Sequence, residues 1–169
     1  MITQITTREF VLTDYDCAVA LWKTVAGVEI CEGDSREEIE AYLRRNPGLS
    51  RVAEENGVMA GAVLCGHDGR RGWLYHLAVA RQFRRRGVGR LLLADCVSAL
   101  RSAGIRRAIV LVGGDNSLGH EFWLQNGWEN IDALALTFNL SGRTESASRL
   151  PLQERSRESS APEPSSPKV

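Results

Sequence analysis

The sequence lacks the features that mark several large classes of protein. Lys plus Arg and Asp plus Glu each number 21 among 169 residues, so no net charge attracts the molecule to nucleic acid or to an anionic membrane. The apolar runs, of which 108–112 is typical, are far shorter than the roughly 20 residues that span a bilayer. We therefore expect no nucleic-acid partner and no membrane association.

Metal and redox motifs are absent from the sequence as well. The four cysteines are Cys17, Cys31, Cys65 and Cys96; they are widely spaced and form no CxxC pair, and the three histidines do not cluster. We expect reduced, mostly buried thiols and no metal site. The first residues also lack the basic and then apolar pattern of a secretory signal, which favours a cytoplasmic protein.

Proline is scarce in the first 140 residues and concentrated beyond them. Four of the five prolines follow Ser141, in a serine-rich segment that cannot bury enough surface to offset the entropy of ordering. We therefore predict one domain over residues 1–140 and a disordered Ser/Pro-rich tail over residues 141–169.

Residues 1–140 alternate between strand-like and helix-like patterns. A capping box at Ser35 and Glu38 predicts a helix start, and Asn56-Gly57 between two apolar runs predicts a hairpin with a tight turn. Other helices are predicted from Thr13, from Gly89 to Gly104 and over 116–126, and strands over 6–12, 51–54, 58–64, 72–79, 108–112 and 134–140. The predicted order is strand, two helices, three strands, helix, strand, helix, strand.

One segment carries the clearest chemical signal. Between the strand that ends at Val79 and the next helix lies Arg84-Arg85-Arg86-Gly87-Val88-Gly89. The glycines let backbone N–H groups turn inward, the helix adds its positive dipole end and the arginines attract anions, so this loop suits a pyrophosphate. No GxGxxG or GxxxxGK[ST] motif occurs, which excludes the usual dinucleotide and P-loop sites. A solvated arginine cluster and a nucleic-acid patch remain the alternatives.

The RxxGxG spacing at residues 84–89 resembles the coenzyme A signature of the GCN5-related N-acetyltransferase (GNAT) superfamily. Residues 116–128 match the spacing of that family's segment N-x-x-A-x-x-[LF]-Y-x-x-x-G-[FY], and the likeness covers residues 5–140. Residues 68–79 look most like the bacterial YpeA-type subgroup. The resemblance implies the α+β GNAT fold, in which a mixed, mostly antiparallel central sheet is flanked by about four helices and contains a splay between two strands.

The resemblance also implies an acetyl-CoA-dependent N-acetyltransferase. Acetyl-CoA would be the cosubstrate, and the acceptor would be a primary amine of a small molecule or a protein. The implied coenzyme A contacts are Leu77, Ala78, Val79, Arg84, Arg85, Arg86, Gly87, Val88, Gly89, Arg90 and Asn116. The neutral amine would attack the thioester while backbone N–H groups near residues 77–79 stabilise the developing oxyanion. We expect a monomer or a homodimer.

The sequence departs from the family pattern where the family has a catalytic tyrosine. Trp123 stands at that position, and an indole does not release its proton near neutral pH, so general acid catalysis from this position is lost. Either the enzyme is active with help from water or Tyr75, or the protein is a catalytically weak acetyl-CoA-binding sensor or interaction module. Gly119, in place of the usual alanine, has no evident chemical meaning.

Candidates for the proton acceptor lie on the fourth predicted strand and in the first connection between helices. We predict Tyr75 and Glu29; His76 follows Tyr75, and strand alternation would put only one of these two on the substrate side. An acidic rim of Glu29, Glu32 and Asp34 would suit a cationic acceptor such as a polyamine, a lysine side chain or a protein N-terminus.

Overall fold

The computed structural model describes residues 4–140. The predictions on residues 1–3 and 141–169, including the tail, lie outside the described residues. The strands are β1 (Thr6–Glu9), β2 (Arg51–Glu55), β3 (Val58–His67), β4 (Gly72–Val79) and β5 (Ala108–Val110), and the helices are α1 (Tyr15–Trp22), α2 (Arg36–Arg45), α3 (Val88–Ser102) and α4 (Ser117–Gln125). A compact unit ends at Asn130, and residues 131–140 belong to a second unit.

A five-stranded sheet forms the centre of the first unit. Its order is β1-β2-β3-β4-β5, and every pair is antiparallel except the last, which is parallel. The predicted hairpin joins β2 to β3, and Asn56 and Gly57 have φ of 53° and 76°, as a type I′ turn requires. The predicted α+β fold, with a mixed, mostly antiparallel sheet and four helices, is confirmed.

Each face of the sheet carries its own core. Helix α3 packs on one face, where Leu92, Cys96 and Leu100 are buried at four-residue spacing. Helices α1 and α2 cover the other face through Trp22 and Ile39, which are almost fully buried. Burial of each large apolar side chain stabilises the fold by roughly 1.5–3 kcal/mol. The two cores fix the helices against the sheet and so hold the end of β4 between them.

The connection from β1 to α1 differs from the prediction. Strand β1 ends at Glu9, and α1 begins only at Tyr15. Between them the Asp14 carboxylate accepts the N–H of Val11 at 2.9 Å and two guanidinium N–H groups of Arg8 at 2.7 and 2.8 Å. Burial acts to raise the pKa of Asp14, but the hydrogen bonds from Arg8 and Val11 outweigh it and hold this pKa below its ordinary value. The capping box at the start of α2 is as predicted.

The predicted last strand is wrong. Residues 131–140 form no strand, and Leu134, Leu136, Phe138 and Leu140 are each more than four-fifths exposed. Apolar residues at every second position are typical of a strand, but a strand also needs a neighbour for its backbone hydrogen bonds. Residues 131–140 contain no second strand that could supply those hydrogen bonds.

The burial of the cysteines and the end of β5 differ from the expectations, and the described residues contain no membrane-spanning helix. All four cysteines are free, but only Cys65 and Cys96 are buried, whereas Cys17 and Cys31 are exposed. Strand β5 ends at Val110 rather than at residue 112. Within residues 4–140, no helix combines the length and the apolar character needed to cross a membrane.

Candidate active site

A cleft opens where β4 and β5 separate. Their parallel pairing ends at Leu74 and Val110, whereas β4 continues along β3 to Val79. The edge of β4 that faces β5 therefore has no strand partner over its last residues, among the strands described. A cleft of about 960 Å³ lies there, lined by the α1–α2 connection, β4, the arginine loop (residues 84–87), the start of α3, the end of β5 and α4. The structure thus contains a splay of the kind the resemblance implies.

An extra residue in β4 changes the direction of its side chains. Leu64 pairs with Tyr75 and Ala62 with Ala78, so three steps along β4 match two along β3. This is a β-bulge, and His76 lies in it with a φ of 51°. The left-handed conformation is uncommon for a residue other than glycine and is strained by roughly 1–2 kcal/mol.

The bulge puts the side chains of Tyr75 and His76 on the same side of the sheet. Tyr75 meets the edge of Tyr42 with ring centroids 6.2 Å apart, and His76 meets Trp22 at 4.8 Å, so both point towards α1 and α2. The expectation that strand alternation separates Tyr75 from His76 is therefore wrong. Both residues line the cleft. Burial raises the pKa of Tyr75, which keeps its phenol protonated near neutral pH.

Beyond the bulge, alternate residues of β4 face the cleft. Leu77 and Val79 line it, whereas Ala78 is almost fully buried in the core under α1. The N–H of Ala80 donates to the carbonyl O of Ala60 on β3 at 2.9 Å. Because main-chain groups alternate along a strand, those of Leu77 and Val79 face the cleft and those of Ala78 face β3.

The arginine loop reverses direction before α3. Arg85 has a φ of 62°, and Gly87, the residue before α3, has a φ of 81°. Left-handed positions of this kind turn successive N–H groups to one side and form a concavity for an anion. Arg84, Arg85 and Gly87 of this loop line the cleft, as do Val88, Gly89 and Arg90 in the first turn of α3.

Two arginines of this loop are also bound within the protein. Arg84 donates from Nε to the carbonyl O of Val79 at 3.1 Å. Arg86 forms an ion pair with Glu55, and its guanidinium lies 5.3 Å from the ring centroid of Phe83. Arg86 does not line the cleft. The side-chain charge that the loop offers to a ligand therefore comes from its other arginines.

Asn116 holds the start of α4 and faces the α1–α2 connection. Its Oδ1 accepts the N–H of Gly119 at 2.9 Å. A Cβ at residue 27 would lie 2.6 Å from Cγ of Asn116, and one at residue 119 would lie 2.8 Å from the same atom. Gly27 and Gly119 therefore leave the space that this amide occupies. This is the physical reason for the glycine at position 119.

Trp123 lines the cleft but belongs mainly to the core. It is 7% exposed, and its ring packs against Trp128 at 4.8 Å and Phe122 at 5.5 Å between centroids. Aromatic pairs in this tilted arrangement add to the stabilisation that burial itself gives. The contacts of Trp123 are those of a packing residue.

The predicted acidic rim of three residues is wrong. Glu29 lines the cleft and Glu32 does not, while Asp34 is buried. Asp34 Oδ1 lies 2.7 Å from Nε2 of His76, and its Oδ2 accepts the N–H of Cys31 at 2.9 Å. Sequence reasoning missed this pair because its members are 42 residues apart, and no local pattern connects them. The described residues contain no group of three or more side chains that could hold a metal ion.

Comparison with known proteins agrees with this architecture. The family model of the acetyltransferase (GNAT) family matches residues 15–128. An acetyltransferase of Pectobacterium atrosepticum is 31% identical over 134 residues, which cover 76% of this chain and 91% of that protein. These likenesses define an acetyltransferase. The chain belongs to the acetyltransferase (GNAT) family.

Solved structures show the same fold. The PaiA N-acetyltransferase of Thermoplasma acidophilum, in complex with coenzyme A, is similar with a TM-score of 0.67 at 20% identity, over 77% of this chain and 92% of that one. Ard1 of Thermoplasma volcanium is similar with a TM-score of 0.65 at 23% identity, over 73% of this chain and 81% of that one.

Proposed function

We propose that the protein transfers the acetyl group of acetyl-CoA to a primary amine of a small molecule or a protein. The observation that carries this proposal is the cleft at the splay of β4 and β5, with the arginine loop and the start of α3 at its edge. Its volume of about 960 Å³ is that of a large ligand pocket. Acetyl-CoA supplies an acyl group activated as a thioester.

The arginine loop fits the diphosphate of this cosubstrate. The left-handed positions at Arg85 and Gly87 turn N–H groups to one side, and the N-terminus of α3 adds a positive end to the same concavity. Arg85 and Arg90 line the cleft and supply charge-assisted hydrogen bonds, each worth roughly 1.5–3 kcal/mol, whereas Arg84 lines the cleft with its Nε bound to the carbonyl O of Val79. We assign Arg86 a main-chain contribution only, because its guanidinium is bound to Glu55.

The unpaired edge of β4 fits an extended ligand arm. The main-chain groups of Leu77 and Val79 face the cleft, and a pantetheine arm with its two amides can pair with them as an added strand does. Asn116 lies on the cleft at the start of α4. We assign the N–H groups of this part of β4 to the stabilisation of the oxyanion that develops on the thioester carbonyl.

Two cleft residues suit the remaining steps. Tyr75 lines the cleft with its phenol protonated near neutral pH, and burial raises its pKa further, so we assign it the donation of a proton to the leaving sulfur, the role that Trp123 cannot fill. Glu29 gives the α1–α2 side of the cleft a negative charge, which favours a cationic acceptor. We further propose that the enzyme belongs to the YpeA-type subgroup, on the likeness of residues 68–79. We also propose that it is cytoplasmic.

A titration and an activity assay test the proposal. Calorimetry with acetyl-CoA should show binding, and thiol release should follow on addition of spermidine, a lysine-containing peptide or an aminoglycoside. Binding without thiol release from any amine would favour the alternative, an acetyl-CoA-binding sensor or interaction module, to which the packing of Trp123 is also suited. Absence of binding to acetyl-CoA and coenzyme A would refute both functions.

A further inference from the structure

We propose that His76 accepts the proton of the acceptor amine and that Asp34 positions its imidazole for this step. The inference rests on the acetyl transfer proposed above. It begins from the bulge in β4, where His76 has a φ of 51°. Strained backbone of this kind persists where the surrounding structure holds it, and it is concentrated at functional sites. Here it places His76 on the lining of the cleft, two residues beyond the last pair of β4 and β5, with 13% of its side chain exposed.

The imidazole is held in one orientation and one tautomer. Its Nε2 lies 2.7 Å from Oδ1 of Asp34, whose side chain is only 8% exposed and whose other oxygen accepts the N–H of Cys31. A carboxylate only accepts hydrogen bonds, so Nε2 carries the ring proton and donates it. In the neutral ring Nδ1 then keeps its lone pair, and within residues 4–140 no hydrogen bond to Nδ1 is found. The ring also rests on Trp22, with centroids 4.8 Å apart.

This arrangement is that of a base with an orienting carboxylate. In acyl-transfer enzymes a carboxylate that binds one ring nitrogen fixes the other nitrogen as a proton acceptor and stabilises the imidazolium that forms. A surface histidine pair would not be held in this way. His120 shows the contrast, because its Nε2 contact of 2.7 Å is to the neutral amide of Asn130 and it does not line the cleft.

Two of the other titratable groups near the ring, the Cys31 thiol and the Tyr75 phenol, do not compete for the proton. Partial burial, and then the charge of Asp34, raise the pKa of the Cys31 thiol, so this group stays neutral. Burial likewise raises the pKa of Tyr75, the neighbour on β4. Helix α1 presents the indole of Trp22 to the ring. Glu29, on the same connection as Asp34, is the remaining acidic group of this connection on the cleft.

The protons of the reaction balance with this assignment. The acceptor arrives as an ammonium ion and gives one proton to Nδ1 of His76, which later releases it to solvent. The nitrogen lone pair then forms the C–N bond, and the C–S bond breaks with its electron pair on sulfur. Tyr75 protonates the sulfur. The nitrogen then loses its second proton, which restores the proton that Tyr75 gave up. The products are the amide, the thiol and one proton in solution.

Two amines of different basicity separate this role from a structural one. Ethylamine is almost fully protonated at neutral pH and needs a base, whereas 2,2,2-trifluoroethylamine is largely neutral there. His76→Gln keeps a donor near Asp34 but cannot take up a proton. We expect H76Q to lower kcat with ethylamine by roughly 10²- to 10⁴-fold. With trifluoroethylamine, and in the KM for acetyl-CoA, we expect changes of about twofold at most.

Matched variants complete the design. His120→Gln removes a histidine outside the cleft whose Nε2 also lies 2.7 Å from a side-chain oxygen, that of Asn130. This variant should leave kcat with both amines unchanged. Asp34→Asn, which keeps an oxygen for the Cys31 N–H, should lower kcat with ethylamine selectively and by less than H76Q, and it replaces H76Q if that variant does not fold. Equal losses with both amines, or no loss in either variant, would overturn the proposal.

Nitrogen-15 NMR of the imidazoles in the full chain tests the same inference without an amine substrate. The His76 signals, assigned by their absence in H76Q, should show the neutral ring protonated on Nε2 and bare on Nδ1. A neutral ring protonated on Nδ1 would overturn the assignment even where the wild-type protein binds acetyl-CoA. Failure of wild-type binding, measured first by calorimetry, would instead refute the acetyl transfer on which the inference rests.

Discussion

Replacing Gly27 by alanine tests whether the α1–α2 connection and the start of α4 are mechanically coupled. Gly27 has a φ of 80°, and a Cβ there would lie 2.6 Å from Cγ of Asn116 and closer still to its Nδ2. Asn116 cannot rotate away freely, because its Oδ1 accepts the N–H of Gly119 at 2.9 Å. The alanine must therefore displace the connection or break this helix cap.

The expected size of the effect follows from three contributions. A left-handed φ costs alanine roughly 1–2 kcal/mol, and the reduced entropy of the unfolded chain offsets roughly 0.4–1 kcal/mol of this. Loss of the cap at Asn116 adds roughly 1 kcal/mol. We expect Gly27→Ala to lower the free energy of unfolding by about 2 kcal/mol. Acetyl-CoA binding should weaken by about tenfold, which corresponds to about 1.4 kcal/mol, because Asn116 leaves its position on the cleft.

Gly33→Ala is the matched control for this experiment. Gly33 lies in the same connection with a φ of 96°, but a Cβ there would meet nothing within 4 Å. This variant carries the backbone cost alone, so it should lose about 1 kcal/mol and bind acetyl-CoA as the wild type does. Urea unfolding and calorimetric titration measure both quantities. A double-mutant cycle of Gly27→Ala with Asn116→Ala should give a coupling of about 1 kcal/mol. Equal effects of the two glycine variants on stability and on binding would refute the reasoning.

Three further predictions concern the charges and the packing. In calorimetry, Arg85→Ala should weaken acetyl-CoA binding at least about tenfold, whereas Arg86→Ala should weaken it less than about threefold, because Arg86 is occupied by an ion pair; the reverse order would contradict the site. The lowered pKa of Asp14 means that its ionised form stabilises the fold above about pH 4, and this contribution is lost as the pH falls through the folded-state pKa. Asp14→Asn should thus lower the melting temperature at neutral pH and flatten its decline in acid, and an unchanged acid decline would exclude this role. Trp123→Phe should cost roughly 1–2 kcal/mol of stability and leave kcat within about threefold, since this residue packs in the core; a much larger fall in kcat would indicate a chemical role.

The elements that the sequence predicts well are those decided by neighbouring residues. Asn56-Gly57 forms the expected turn because both positions tolerate positive φ, and Ser35 caps α2 through Glu38 as expected. The reversal at Gly87 before α3 is local in the same sense. These interactions span only a few residues, so composition and spacing contain all the information that they need.

The features that escaped prediction depend on contacts between distant segments. The bulge at His76 is a mismatch between two strands, and its partner Asp34 lies 42 residues away. The alternation over 134–140 predicted a strand, but pairing depends on a second strand that the alternation itself cannot supply.

The hydrogen bond from Arg84 to the carbonyl O of Val79 has a further consequence for the geometry of the cleft. The guanidinium binds the carbonyl O of Val79, which is the last main-chain acceptor of β4 on the edge that faces the cleft. An extended ligand can therefore pair with β4 only up to Val79. There it has to bend towards the concavity before α3. If acetyl-CoA binds along β4 as proposed, this one side chain sets where the bound molecule bends, and with it the distance between its thioester and its diphosphate.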